Sequence, residues 1–174
     1  MTTLTTARLS LRKPLKTDAD ALVQALNNLN VSRWTGRIPY PYGAADAEAF
    51  FAHARGCARD ELVLLILREG ELIGGIGVEK GELGYWLAEP HWGKGYGREA
   101  ARAVVDHAFM EGSRQMITAC YFSGNAASQR ILESLGFAET GRGMCFSRAR
   151  QSEVAIIRLV LTRTGWQDAK ERRR

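Results

Sequence analysis

Three glycines spaced two apart, Gly93, Gly95 and Gly97, stand between an apolar run that ends near Ala88 and a helical pattern that opens near Gly97. Such a turn constrains the fold, because glycines there let successive backbone N–H groups converge where side chains would bar an approach. The helix N-terminus adds partial positive charge, and Lys94 and Arg98 add two cations. The combination favours phosphate oxygens. Single positions exclude two common phosphate loops. A dinucleotide fingerprint needs a glycine where Arg98 stands and follows the first strand, and a P-loop needs Ser or Thr where Gly95 stands and glycine at Ala88. The competing reading is an ordinary turn whose glycines only permit tight helix packing.

The rest of the chain supplies a frame for that turn. With 174 residues, 45% hydrophobic and 25% charged, it has the size and balance of one domain with a full core. Ala7 to Pro14 alternates Leu9 and Leu11 with Ser10 and Arg12 and predicts a first strand. Thr17 opens an amphipathic helix with Ala21, Leu22, Ala25 and Leu26 on one face. Asn30 to Gly43 carries Gly36, Pro39 and Pro41 with Trp34, Tyr40 and Tyr42, so it reads as an aromatic-rich connection before a helix over Ala44 to Ala58. Apolar runs at Glu61–Arg68, Leu72–Glu79 and Glu82–Ala88 predict three consecutive strands. A helix follows over Gly97 to Gly112, then a strand at Gln115–Phe122, then a helix over Asn125 to Leu135 closed by Gly136. Ala138–Arg148 and Glu153–Thr162 form a terminal hairpin, whose edge offers a place for a second copy to pair. Consecutive strands pair antiparallel, whereas the two strands around the Gly97 helix lie parallel through a right-handed crossover. A mixed α/β (α+β) sheet results.

Composition narrows the function classes. The opening residues hold no apolar run of signal-peptide length, and no stretch approaches the roughly 20 apolar residues of a membrane span. A soluble, cytoplasmic protein is expected. Cys57, Cys120 and Cys145 are odd in number and far apart, and with only His53, His91 and His107 besides, no metal is expected. The net charge of +5 includes +3 from Arg163 to Arg174, so the remainder is close to balanced. Residues 1–164 read as a single domain and 165–174 as a basic, solvated C-terminal tail, which argues against nucleic acid as the main partner.

The turn and a second motif carry a family resemblance. Gly95-Tyr96-Gly97 matches the end of the coenzyme A loop of the general-control-related N-acetyltransferase superfamily (GNAT), with Trp92 in place of the usual Gln or Arg at its first position. Asn125 and Ser128, followed by Leu135-Gly136-Phe137, match a second GNAT motif in order and spacing. Gly84-Tyr85-Trp86-Leu87 resembles the branch of ribosomal-protein alanine N-acetyltransferases. The resemblance implies a mostly antiparallel central sheet of about seven strands, helices on both faces, and a splayed parallel pair in the middle. It implies acetyl-CoA as co-substrate, with the backbone of Trp92, Gly93, Lys94, Gly95, Tyr96, Gly97 and Arg98 around its pyrophosphate. The edge at Trp86, Leu87 and Ala88 then pairs with the pantetheine arm as an added strand does, and the Leu87 N–H faces the thioester oxygen as an oxyanion donor. The resemblance also implies that Asn125 bonds the pantetheine amide and that Ser128 lies near the sulfur. From the residues alone, Asn125 is a helix cap and Ser128 an unremarkable first-turn residue.

Acetyl transfer needs a neutral amine. An α-amine with a pKa of about 7.7 to 8.0 is roughly a tenth neutral at pH 7, while a lysine at about 10.4 is neutral only to roughly 0.04%. A peptide or protein N-terminus is therefore the expected acceptor, by direct attack in a ternary complex. Glu82 is the candidate base, with a solvated strand-end carboxylate as its other reading, and Glu79 and His91 are lesser candidates. Trp34, Tyr40 and Tyr42, with Arg33 and Arg37, either wall the acceptor groove or pack. A non-catalytic acyl-CoA-binding module and an RNA-binding protein led by its tail are the alternatives, separated from an enzyme by acceptor-dependent thiol release.

Overall fold

The computed structural model describes residues 3–58, 60–111 and 113–172. Eight strands form one sheet: β1 (Thr3–Thr5), β2 (Ser10–Arg12), β3 (Leu62–Arg68), β4 (Glu71–Glu79), β5 (Glu82–Leu87), β6 (Met116–Phe122), β7 (Ala138–Ser147) and β8 (Ser152–Thr162). Their spatial order is β1-β2-β3-β4-β5-β6-β8-β7, antiparallel throughout except for the parallel pair β5 and β6. The expected mixed sheet is thus found, with one strand more than seven. The additional strand, Thr3–Thr5, is too short to leave a periodic signal, and the first expected strand shrinks to Ser10–Arg12.

Helices cover both faces. On one side lie α1 (Ala19–Leu26), α2 (Leu29–Ser32) and α3 (Ala44–Gly56), whose Leu22, Leu26, Val31 and Phe51 pack with Leu65 and Leu67 of β3. On the other lie α4 (Tyr96–Met110), α5 (Ala126–Leu135) and α6 (Arg163–Glu171), packed with Leu64 and Ile66 of the same strand. Alternate residues of β3 therefore feed two cores, which is why it reads as a continuous apolar run. The short helix α2 overlaps the start of the stretch expected to be a bare connection; Asn28 caps it by accepting from the Asn30 N–H at 2.9 Å.

The C-terminal segment corrects the reading of a solvated tail. Arg163–Glu171 is a helix, Trp166 and Ala169 are buried, and the Trp166 ring stacks on Phe109 of α4 at 5.2 Å. Its indole N–H donates to Asp106 at 2.6 Å. Five basic residues in the last twelve concealed one large apolar anchor.

β5 and β6 are paired only at Glu82 with Thr118 and Leu83 with Ala119. Beyond that point they diverge, and a gap opens between their C-terminal halves.

Candidate active site

The gap and the glycine turn meet at the end of β5. Ala88 N–H donates to Ile73 O at 2.9 Å, so Leu87 and Gly74 form a non-hydrogen-bonded antiparallel pair. Leu87 N–H and C=O consequently point away from β4, into the gap. Trp86 and Ala88 direct theirs toward β4, which narrows the expected pantetheine edge to Leu87 and, two residues earlier, Tyr85. The Trp92 indole N–H already donates to Leu87 O at 2.8 Å. Of the Leu87 pair, the N–H is therefore the group that faces the gap without the Trp92 indole on it.

Gly93 and Gly95 adopt φ of +73° and +82°, the left-handed region that L side chains avoid. Gly95 is the N-cap of α4, and the first bond of that helix runs from Glu99 N–H to Gly95 O at 3.1 Å. The amides of Tyr96, Gly97 and Arg98 precede it and have no acceptor within the helix. Gly97 is small because a Cβ would come within 3.0 Å of Ile131 and 3.3 Å of Leu87, so α4, α5 and β5 close together there.

A cleft of about 640 Å³ runs alongside the turn, lined by Arg8, Lys94, Gly95, Arg98 and Arg102. Glu99 and Asp106 also line it and pair with Arg8 and Arg102, which leaves Lys94 and Arg98 as the cations that suit a phosphate at the turn. Arg8 and Arg102 went unnoticed in the sequence, since Arg8 is distant along the chain and arrives only through folding. Arg8 N and Nε both donate to Glu99, at 2.9 and 2.7 Å, its Nη1 donates to Lys94 O at 3.1 Å, and its guanidinium lies 4.6 Å from the Tyr96 ring centre. Burial pushes the Glu99 carboxyl up, but bonds from Thr6 and Arg8 outweigh it and hold the group below its usual range. The Lys94 ammonium donates to Pro90 O at 2.9 Å, bracing the turn.

On the far side of the gap, Asn125 Oδ1 caps α5 by accepting from Ser128 N–H at 3.1 Å. That is the structural role read from the residues alone, and it leaves the Asn125 side-chain NH₂ as a donor. Ser128 Oγ lies 2.8 Å from Tyr85 Oη. Burial raises the Tyr85 phenol to about 12 against the opposing bond from Ser128, so it stays protonated. This Tyr85–Ser128 pair, which the sequence reading did not assemble, puts two exchangeable protons beside the gap.

The remaining candidates scatter. Glu82 sits where β5 and β6 are still paired, five residues or roughly 16 Å along the strand from Leu87. It accepts a weak bond from the Cys120 thiol at 3.4 Å, and burial together with Glu82 pushes that thiol up to about 12. Glu79 faces His53 and Arg37, and His91 lies against Glu71 at 3.4 Å. Tyr42 is buried in the core beside α1 and α3, its phenol raised to about 12 by burial and Asp46. Tyr40 is exposed. Trp34 lies between the guanidinium groups of Arg33 and Arg150, 5.5 and 5.0 Å from its ring, and Arg150 is also 5.5 Å from Phe122 at the end of β6. Trp34 thus stands near the mouth of the gap.

Comparison with known proteins agrees with this arrangement. The family model for the acetyltransferase (GNAT) domain matches residues 8–138. The uncharacterized N-acetyltransferase p20 of Bacillus licheniformis is 27% identical over 161 residues, covering 86% of this chain and 90% of its own. The ribosomal-protein-serine acetyltransferase of Escherichia coli is 32% identical over 97 residues, about half of each chain. Among solved structures, the spermidine N-acetyltransferase of Vibrio cholerae, in complex with CoA and spermine, superposes with a TM-score of 0.78 at 19% identity, covering 92% of this chain and 98% of its own. The family match spans the turn, the gap and both helices that border it, and the chain belongs to the GNAT acetyltransferase family.

Proposed function

We propose that the protein transfers the acetyl group of acetyl-CoA to a primary amine, namely the α-amine of a peptide or protein N-terminus, by direct attack in a ternary complex. The diphosphate sits on the amides at the start of α4, the pantetheine arm lies in the gap between β5 and β6, and Asn125 donates to its amide. Leu87 N–H takes the charge that develops on the thioester oxygen. Ser128, bonded to Tyr85, gives its proton to the departing thiolate, and the proton lost by the attacking amine returns to Ser128 through water.

The observation that carries the choice of acceptor is the arginine pair around Trp34. Arg150 Nη2 is buried without a hydrogen-bond partner, and burial together with Arg33 lowers the pKa of its guanidinium. Cations at the mouth disfavour an ammonium relative to the neutral amine that attacks, and they repel a polyamine with several charges. A peptide brings a single amine of low pKa together with carbonyl oxygens that suit a cationic mouth. With Glu82 roughly 16 Å from Leu87 along the strand, an acceptor that needs little help from a base suits the site. The E. coli relative's name, ribosomal-protein-serine acetyltransferase, points the same way.

The test is incubation with acetyl-CoA and matched acceptors: a peptide with a free N-terminus and an internal lysine, the same peptide with a blocked N-terminus, and spermidine. Mass spectrometry locates the acetyl group. Modification of the α-nitrogen alone is expected; preferential acetylation of spermidine or the lysine overturns the choice of acceptor, and no acceptor-dependent thiol release overturns the enzymatic reading.

A further inference from the structure

Away from the gap, three side chains of different chemistry converge where the end of α3 meets the end of β4. His53 and Cys57 are four residues apart and so share one face at the helix terminus. Glu79, the last residue of β4, faces both. His53 Nε2 is in hydrogen-bond contact with a Glu79 carboxylate oxygen, the Cys57 sulfur lies 3.7 Å from His53 Nε2, and it lies 4.0 Å from Glu79 Oε2. All three ligand atoms fall within 4.8 Å of one another. In a tetrahedral zinc site with ordinary Zn–S, Zn–N and Zn–O bonds, sulfur stands roughly 3.6 Å from each of the other donors. The sulfur is already near that separation from both, and the hydrogen bond between His53 and Glu79 opens to admit the ion between them.

We propose that His53, Cys57 and Glu79 form a binding site for a divalent transition metal, with Zn²⁺ as the ion that its imidazole, thiolate and carboxylate donors suit best. Three protein ligands leave one position for water. Arg37 lies 3.4 Å from the second Glu79 oxygen and offsets part of the charge of the cluster. Cysteine and histidine counts alone argue against a metal; the helical spacing 53 to 57 is the signal, and Glu79 joins only through the fold. A bound ion ties the end of α3 to the end of β4, independently of the glycine turn.

The experiment is titration of the full chain, stripped with chelator, with Co²⁺ followed by competition with Zn²⁺. The expected result is one Co²⁺ per chain with a thiolate-to-cobalt charge-transfer band, displaced by Zn²⁺. The band disappears in Cys57→Ser, and His53→Ala and Glu79→Gln each lose at least about tenfold in affinity, the loss that removal of even an outer-shell partner causes. It persists in the double variant Cys120→Ser/Cys145→Ser. Circular dichroism without metal establishes that each variant is folded, and if Cys57→Ser is not, the His53 and Glu79 variants decide. Absence of the band, its survival in Cys57→Ser, or affinity indifferent to both His53→Ala and Glu79→Gln overturns the site.

Discussion

The Trp92 indole N–H donates to the Leu87 carbonyl at 2.8 Å, joining the first residue of the glycine turn to the last residue of β5. The bond fixes the turn against the strand along which the thioester is proposed to lie, and it occupies one of the two backbone groups that face the gap. Trp92→Phe keeps the ring and removes the donor. A neutral hydrogen bond is worth about 1 kcal/mol, and this one is made without cofactor, so its loss is expected to lower the melting temperature by about 2 to 4 °C, with calorimetric titration showing CoA binding weakened by no more than about fivefold.

Ser128→Ala removes one member of the Tyr85–Ser128 pair. General acid catalysis is worth about a hundredfold or more, so kcat is expected to fall by about that factor while CoA affinity holds. Tyr85→Phe is expected to lower kcat in the same direction. Because burial raises the Tyr85 phenol to about 12, the alkaline limb of the wild-type pH–rate profile below pH 11 does not come from that group.

Gly95 sits at φ +82° and ψ 0°. Gly95→Ala carries a strain of roughly 1 to 2 kcal/mol, read as lost stability in urea titration. Relieving that strain turns the amides of Tyr96 to Arg98 away from a common point, so CoA affinity is expected to fall at least about tenfold. Unchanged affinity in a folded Gly95→Ala protein contradicts the phosphate role of the turn.

Arg12 donates to both carboxylate oxygens of Asp18 at 2.8 and 2.7 Å, and Leu15 N–H adds a third bond at 2.7 Å. The Arg12 bonds above all hold the Asp18 carboxyl below its usual range despite burial. Its contribution is therefore complete above the unfolded carboxylate pKa of about 3.9 and is lost as pH falls through the lower folded value. Asp18→Asn is expected to cost about 2 kcal/mol at pH 7, and chemical denaturation at descending pH should show the two proteins converging below about pH 4.

Trp166→Ala removes the ring stacked on Phe109 and the donor to Asp106. The expected loss is about 3 kcal/mol or more in urea titration, far beyond what a solvated tail would give.

How much of this was legible depended on whether the signal was local. The glycine turn declares itself because φ above zero at Gly93 and Gly95 has few other residue solutions. The apolar runs of β3 to β5 likewise follow from what each strand buries. By contrast Thr3–Thr5 is held by pairing with β2, and Trp166 stays buried among charges that report only the exposed side of its helix. The site divides the same way. Asn125 and Ser128 come as a spaced motif, but Tyr85 joins Ser128 across 43 residues and Arg8 meets Glu99 across 91. Trp34 and Tyr42 belong to one aromatic stretch, and only packing separates a residue at the mouth of the gap from one in the core.

The grip of Thr6 and Arg8 on Glu99 and Lys94 makes the start of the chain a mechanical extension of the cofactor cradle. Whatever tightens the first turn of α4 tightens residues 6–8 as well, so limited proteolysis near the amino terminus becomes a reporter of occupancy, slowing as coenzyme A is added.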